Sequence, residues 1–255
     1  KIKKILKKKN KSKIICLTAY SKNIAEIVDD HADIVLVGDS LGSVLYNYDT
    51  TRKVSLNMMI EHTKSARMGV KKSLLVIDLP YNTYRSKSEA LKNSKKAIKE
   101  TKCDAVKVEG GTKVKEIVKH LVKNRIPVLG HIGITPQTTK GKFISKGKNE
   151  TEKRKLLKDA KDLEQSGAFG IVLECIYSDV SKKITNLINI PTIGIGASVN
   201  CDGQVLVTDD LIGLNETKFR FVKKFGNIKK YIKSAVIKYK NSVKQKKFPS
   251  KKNSY

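Results

Sequence analysis

Short apolar runs recur along this chain, and several of them end in a single carboxylate. Eight runs are rich in Val, Ile and Leu and mostly lack polar alternation, at residues 14–19, 33–38, 73–77, 105–108, 126–130, 169–173, 191–195 and 204–207. Runs of this kind predict strands that are covered on both faces. Amphipathic helical patterns lie between most of them. The alternation predicts an α/β protein, a (β/α)₈ TIM barrel with extra C-terminal helices.

The length of 255 residues fits one large core, so we predict a single barrel domain over residues 1–255. Residues 1–13 form a basic segment that we interpret as an N-terminal helix or arm. Residues 197–203, between the seventh and eighth runs, are too few and too turn-rich for a full helix. Lysine-rich helical sequence follows the eighth run, and residues 240–255 are expected to form a polar tail.

The charge balance is strongly basic, with 53 Lys and Arg against 24 Asp and Glu and a formal net charge of +29. Such a balance can indicate a nucleic-acid or anionic-membrane partner. However, only six of the basic residues are arginine, aromatic residues make up 6%, and tryptophan is missing. Arginine forks and stacking aromatics are what nucleic-acid recognition needs. A solvated basic surface is therefore the preferred interpretation, and a nucleic-acid-binding protein is kept as an alternative.

The expected location of the chain is the cytoplasm. Its four cysteines form no Cys-x-x-Cys pair and have no companion histidines at zinc-finger spacing, so we expect reduced thiols. The basic start carries no apolar core of a secretory signal. No window approaches the roughly 20 apolar residues of a membrane span. These features predict a soluble protein with no membrane partner.

Four acids lie at the ends of the apolar runs: Asp39, Asp78, Glu109 and Glu174. The carboxyl ends of barrel strands meet at one rim, where barrel enzymes place their active sites. Alternate residues of a barrel strand face inward, so Asp39 is expected to share an inward face with Val35 and Val37. The other three acids are likewise expected to cap inward apolar layers.

Two interpretations of these acids are possible. Each alone can be a turn former or the N-cap of the following helix, as Asp39 and Asp78 illustrate. Together, carboxylates packed at one rim repel one another unless a cation lies among them. Oxygen ligands without clustered His or Cys favour Mg²⁺. We therefore predict a magnesium site at the rim.

Lys107 and His131 add polar groups to the same rim. Lys107 lies two residues before Glu109 and is expected to face inward with it. A buried ammonium needs a partner, which is either a substrate carboxylate or Glu109 itself. His131 ends the fifth run, where it either hydrogen-bonds to substrate or is satisfied by neighbouring backbone. Both alternatives stay open for each residue.

Six motifs in register resemble one known family. They are Val37-Gly38-Asp39-Ser40-Leu41-Gly42, Asp78-Leu79-Pro80, Lys107-Val108-Glu109-Gly110-Gly111, Gly130-His131-Ile132-Gly133-Ile134-Thr135-Pro136-Gln137, Leu173-Glu174-Cys175 and Ile193-Gly194-Ile195-Gly196-Ala197. The sequence resembles the ketopantoate hydroxymethyltransferases from Leu17 to the tail at Phe248. This family is a (β/α)₈ barrel that moves a hydroxymethyl group from 5,10-methylenetetrahydrofolate to 3-methyl-2-oxobutanoate, in pantothenate and coenzyme A biosynthesis.

The resemblance implies roles for the rim residues through a Mg-stabilised enolate. Asp39, Asp78 and Glu109 match the Mg²⁺ ligands, and Glu174 matches the proton acceptor. The positions that match substrate contacts are Asp39, Ser40, Asp78, Lys107 and His131. The resemblance also implies a homo-oligomer.

Two places depart from the family pattern. Ser21 stands where the family usually has an acid, and the loop at 138–148 is shorter than usual and lacks an aromatic-glycine signature.

A second enzymatic interpretation is a Mg-dependent 2-oxo-acid enzyme of the phosphoenolpyruvate mutase and isocitrate lyase type. The absence of a Lys-Lys-Cys-Gly-His loop argues against it.

Overall fold

Eight parallel strands close into a barrel in sequence order, each pairing with the next and the last with the first. The computed structural model describes residues 1–139, 144–216 and 219–255. The strands are β1 (Ile14–Thr18), β2 (Ile34–Val37), β3 (Leu74–Asp78), β4 (Ala105–Glu109), β5 (Val128–Gly133), β6 (Gly170–Glu174), β7 (Thr192–Ile195) and β8 (Gly203–Leu206). Every predicted run overlaps one of these strands, so the predicted barrel is confirmed.

Most of the helices lie between strands and pack against the outer face of the barrel, one precedes the first strand, and two follow the last. They are α1 (Ile2–Lys7), α2 (Lys22–Asp29), α3 (Leu41–Tyr46), α4 (Leu56–Gly69), α5 (Lys87–Thr101), α6 (Lys115–Lys123), α7 (Glu150–Gln165), α8 (Ser178–Leu187), α9 (Thr208–Leu211) and α10 (Ile228–Lys244). Short 3₁₀ turns occur at Thr51–Lys53 and Thr112–Val114. The segment between β7 and β8, all of it described, holds no helix, as its length predicts.

The strands present two apolar layers, one toward the helices and one toward the barrel axis. Val106 and Val108 of β4 belong to the outer cluster with the helix residues. Ala105 of the same strand belongs to the inner cluster, together with Ile34 and Leu36 of β2.

The expectation that Val35 and Val37 face inward is wrong, because both lie in the outer cluster. The alternation of β2 therefore does not place Asp39 at the rim, and the turn that follows the strand does.

The basic segment at the start seals the amino end of the barrel. Ile5 of α1 is 3% exposed and packs in the inner apolar cluster with residues of β1 and β2. Lysines of the segment pair with acids that immediately precede β2, β4 and β8. The nitrogen–oxygen distances are 2.6 Å for Lys8–Asp33, 3.2 Å for Lys1–Asp104 and 2.9 Å for Lys9–Asp202. Part of the positive charge thus has a structural use.

The three acids also join neighbouring strands through the backbone. Asp33 Oδ2 accepts the N–H of Ile15, and Asp104 Oδ2 accepts the N–H of Leu75, both at 2.9 Å. Asp202 Oδ2 accepts the N–H of Thr192 at 2.9 Å. Each acid therefore fastens the strand that it precedes to the start of a neighbour, and satisfies an amide group that lies at the edge of the barrel.

The chain divides into two compact units, residues 1–207 and 208–255. The first holds the closed barrel and α1 to α8. The second holds α9 and α10, and α10 has no buried residue over its 17 residues. Within the described ranges, no helix has both the length and the apolar run needed to cross a bilayer. The single domain over residues 1–255 and the separate tail at 240–255 stay predictions.

Candidate active site

The predicted site residues cluster at the carboxyl rim of the barrel. Asp78, Glu109 and Glu174 are the last residues of β3, β4 and β6, and His131 lies on β5. Five of the side chains are buried, at 2–5% exposure: Asp39, Asp78, Lys107, Glu109 and His131. The Glu174 side chain is 20% exposed, so it is the acid most open to solvent.

A turn at Gly38 brings Asp39 over the rim. The N–H groups of Leu41 and Gly42 donate to the carbonyls of Gly38 and Asp39, at 3.1 and 3.0 Å. This helical turn ends the two-residue alternation of β2. It also lets the Asp39 N–H donate to Asp78 Oδ2 at 3.1 Å. A side chain at Gly38 would come within 2.9 Å of Ser40 Oγ, so a glycine suits this turn.

Lys107 faces the barrel interior beside two acids. Its Nζ lies 2.9 Å from Asp78 Oδ1 and 4.0 Å from Glu109 Oε1. Burial opposes protonation, but the charges of Asp78, Glu109 and Asp39 outweigh it and raise the pKa of Lys107. The ammonium is thus charged, and its nearest acid is on the neighbouring strand rather than Glu109.

His131 connects the acid of β4 with the acid of β6. Its Nδ1 lies 3.3 Å from Glu109 Oε1, and its Nε2 lies 3.2 Å from Glu174 Oε2. Burial and the Lys107 charge oppose protonation, yet the two carboxylates raise the pKa of His131 to about 9. The imidazole is therefore charged at neutral pH and forms ion pairs with both acids, and neither ring nitrogen makes an aligned hydrogen bond.

The acids at this rim influence one another. Burial, followed by the charges of Glu109 and Asp78, raises the pKa of Asp39 well above its usual range. For Glu109 burial acts in the same direction, but His131 and Lys107 overcome it and hold the pKa below its usual range. Among the described residues, no three His, Cys, Asp or Glu side chains converge as a set of metal ligands. The arrangement is a buried network of charges in which the cationic side chains of Lys107 and His131 lie on either side of Glu109.

Gln137 is a residue of this network whose role the sequence did not indicate. It is 1% exposed, and its Nε2 donates to Asp39 Oδ2 at 2.8 Å and to the Leu79 carbonyl at 3.0 Å. Its backbone N–H donates to Glu109 Oε2 at 3.1 Å. The only signal was its place at the end of the motif that contains His131.

Tyr20 is a second residue without a predicted role. Its hydroxyl lies 2.8 Å from Ser40 Oγ, so it orients the serine at the rim. Ser21 is exposed at the N-cap of α2 and makes no side-chain capping bond. In the short loop at 138–148, residues 140–143 lie outside the described residues.

Comparison with known proteins agrees with these features. The sequence model of ketopantoate hydroxymethyltransferase matches residues 1–251. The 3-methyl-2-oxobutanoate hydroxymethyltransferase of Pelagibacter ubique is 62% identical over 100% of this chain and 99% of its own length. The enzyme of the same name from Rhizobium etli is 47% identical over 93% of this chain and 88% of its own length.

Solved structures of low identity share the fold. Phosphonopyruvate hydrolase in complex with oxalate and Mg²⁺ has a TM-score of 0.60 at 9% identity, covering 99% of this chain and 92% of that protein. A 2,3-dimethylmalate lyase has a TM-score of 0.57 at 14% identity, covering 76% and 70%. The resemblance to the phosphoenolpyruvate mutase type thus extends to the barrel, whereas the sequence matches decide the family. The chain is a transferase that belongs to the ketopantoate hydroxymethyltransferase family.

Proposed function

We propose that this chain transfers a hydroxymethyl group from 5,10-methylenetetrahydrofolate to 3-methyl-2-oxobutanoate in a Mg²⁺-dependent reaction. One water is consumed, and the products are tetrahydrofolate and 2-dehydropantoate. The observation that carries the proposal is the joining of three buried acids, Lys107 and the His131–Glu174 pair in one network at the rim. This network offers groups for a cation, for a carboxylate and for a proton.

Three rim acids have the chemistry that a hard divalent cation needs, namely Asp39, Asp78 and Glu109, and their side chains would have to converge when the cation binds. All are buried carboxylates, the donor type that Mg²⁺ prefers. Burial, and then the charges of Glu109 and Asp78, raise the pKa of Asp39, so a cation bound beside it would stabilise its charged form. Asp78 Oδ1 also lacks an aligned hydrogen bond, although Lys107 lies near it. When bound here, Mg²⁺ would supply Lewis-acid stabilisation of the negative charge that develops on the ketone oxygen.

Lys107 and Ser40 are proposed to hold the 2-oxo acid. An ammonium has three donors, and Asp78 Oδ1 at 2.9 Å can accept only one of them. Lys107 can therefore pair with the substrate carboxylate and fix its orientation. Ser40, oriented by Tyr20, adds a hydroxyl at the same side of the rim.

Glu174 is proposed to take the proton from the carbon next to the ketone. It is more exposed than the other rim acids, so a substrate can reach it. His131 Nε2 lies 3.2 Å from its carboxylate and Nδ1 lies 3.3 Å from Glu109, so the three groups form ion pairs without an aligned hydrogen bond. A general base must lie within reach of the proton that it removes. The carbanion that forms then attacks the one-carbon unit of the folate.

A proton-exchange assay tests the proposal in two steps. Purified protein with Mg²⁺ in heavy water is expected to exchange the tertiary hydrogen of 3-methyl-2-oxobutanoate, which NMR detects without the folate. Addition of 5,10-methylenetetrahydrofolate is expected to give 2-dehydropantoate. Neither exchange nor turnover in the presence of Mg²⁺ would overturn the proposal. Turnover that persists after chelation would remove the metal from it.

Glu174→Gln provides a matched variant for the base, because it keeps the size and an acceptor oxygen. We expect exchange to slow by a factor on the order of 10² to 10⁴, the range for a general base. Substrate binding, followed by calorimetry, is expected to persist. Equal losses of binding and exchange would instead assign Glu174 a structural role.

We further propose that the chain acts as a cytoplasmic homo-oligomer. All four cysteines are free thiols, which suits a reducing compartment. In α10 the apolar residues Ile232, Tyr239 and Val243 follow helical spacing and are 48%, 58% and 43% exposed. A helix with such an unpaired stripe supports contact with another copy. Light scattering of the parent and of Ile232→Asp tests this, and a monomeric parent would contradict it.

A further inference from the structure

Gln137 is bonded to three neighbouring strand ends at once. Its side chain reaches Asp39 after β2 and the carbonyl of Leu79 after β3. Its own backbone N–H reaches Glu109 at the end of β4. Its Oε1 accepts a hydrogen bond from the Tyr84 hydroxyl. One residue of the loop after β5 thus contacts two of the three acids assigned to the cation.

The orientation of the Gln137 amide is determined by its neighbours. The Leu79 carbonyl can only accept, so the atom 3.0 Å from it must be the Nε2 donor. The second Nε2 donor then points to Asp39 Oδ2. Tyr84, which donates to Oε1, locks the same orientation from the other side. The amide therefore cannot rotate without the loss of two or three hydrogen bonds.

Two oxygens of the rim acids are occupied by this one residue. Asp39 Oδ2 and Glu109 Oε2 each accept one N–H of Gln137, at 2.8 and 3.1 Å. A hydrogen bond to one oxygen restrains the rotation of each carboxylate. Because the amide is neutral, it orients the two acids without adding or cancelling charge among them.

The loop that carries Gln137 is itself held in place. Arg52, on the 3₁₀ turn after α3, donates its Nε–H to the Gln137 carbonyl at 2.9 Å. The Arg52 guanidinium also lies 5.1 Å from the centre of the Tyr81 ring. The backbone of Gln137 is thus held by Arg52 at its carbonyl and by Glu109 at its N–H.

We propose that Gln137 is a positioning residue that orients Asp39 and Glu109 for a divalent cation. The inference rests on the proposed function, since it assumes that these two acids bind Mg²⁺. Outer groups that orient metal ligands change metal affinity by about 10- to 100-fold when they are removed. Gln137 would act in this way through one side-chain and one backbone donor.

Calorimetric titration of the free protein with Mg²⁺ tests the inference without a turnover assay. Gln137→Met keeps the side-chain length and removes its polar atoms, and we expect the dissociation constant for Mg²⁺ to rise by about 10- to 100-fold. Thermal unfolding without Mg²⁺ is measured in parallel. The control is Thr138→Val, whose hydroxyl contacts Thr135 in the same loop and none of the acids; its affinity is expected to stay within about twofold of the parent.

A milder variant keeps the test valid if Gln137→Met fails to fold. Tyr84→Phe removes the hydroxyl that donates to Oε1 and lies 3.5 Å from the Glu109 carbonyl but leaves the Gln137 amide in place, so we expect a smaller rise in the Mg²⁺ dissociation constant, in the same direction. An unchanged affinity in every folded variant, or an equal loss in Thr138→Val, would overturn the inference. A parent that neither binds Mg²⁺ nor exchanges substrate would overturn the proposed function, and this inference with it.

Discussion

The two ends of this barrel both carry buried acids, but they satisfy them in different ways. At the amino end, Asp29 accepts the backbone N–H groups of Lys71, Lys72 and Ser73, at 2.8 to 3.2 Å. At the carboxyl end, Asp39 and Glu109 lie near one another and rely mainly on side-chain partners. The difference shows in their pKa values, since backbone donors lower the pKa of Asp29 to about 2, while burial and the neighbouring acids raise that of Asp39.

The amino end of the barrel is suited to stability, and the carboxyl end is suited to binding a cation. An acid surrounded by backbone donors gains folding free energy from its charge, because those donors are fixed by the strands. An acid surrounded by other acids loses some of that free energy and gains affinity for a cation. Removing charge should therefore harm activity at one end and stability at the other.

The sharpest test of this contrast is Asp39→Asn. The amide oxygen can still accept from Gln137, but one charge of the crowded set is removed. We expect kcat/KM to fall on the order of 10³-fold, since a metal site contributes several kcal/mol to catalysis. Without Mg²⁺, the melting temperature is expected to stay equal or rise. A large loss of stability in urea unfolding would break the proposed distinction between the two ends.

Ile5→Ala is expected to have the largest effect on stability. This side chain of α1 is 3% exposed in the inner cluster, and truncation leaves a cavity at the amino end. The expected cost is about 3 kcal/mol in the free energy of unfolding, measured by urea denaturation. The kcat of the folded protein should be close to that of the parent, and a matching loss of kcat would contradict the separation of roles.

Asp104→Asn probes an amino-end acid with a smaller expected cost. It removes the charge that faces Lys1 and weakens the bond from the Leu75 N–H. We expect about 1 to 2 kcal/mol less stability, because charge-assisted hydrogen bonds contribute at that level. Activity per folded molecule should not change. The matched comparison is Asp39→Asn, for which the two outcomes are reversed.

Asp29 gives the contrast a pH dependence. Its pKa is lowered, so its contribution to stability is complete above the unfolded value near 3.8 and is lost as the pH falls toward about 2. Asp29→Asn should therefore be less stable than the parent at pH 7, and the difference should shrink between about pH 4 and pH 2. Urea unfolding at several pH values measures it. A constant difference across this range would show that the charge of Asp29 is not the cause.

The sequence predicts the barrel well, because the strands are read from local composition. All eight runs overlap a strand, and Lys107 and Glu109 face inward as their spacing predicts. The prediction fails where regular geometry ends. Val35 and Val37 face the helices, and not the barrel axis as predicted. Asp39 still reaches the rim, because a helical turn follows β2 and ends the strand alternation.

Other parts of the site depend on contacts between distant residues. Gln137 lies 98 residues from Asp39, and its bonds follow from the shape of a loop that has no periodicity. The sequence showed only that residues 1–13 are basic, and the pairing of Lys9 with Asp202 is seen only in the fold. Local patterns therefore show which residue types are present at the rim, but not which of them touch.

The seal at the amino end has a consequence for the order in which this protein folds. Lys9 pairs with Asp202, a residue 193 positions later in the chain. During synthesis on the ribosome, the segment that carries Ile5 and Lys9 is made long before its docking surface exists. It must stay undocked until β8 has closed the barrel. A segment that is made early is thus among the last to reach its native place.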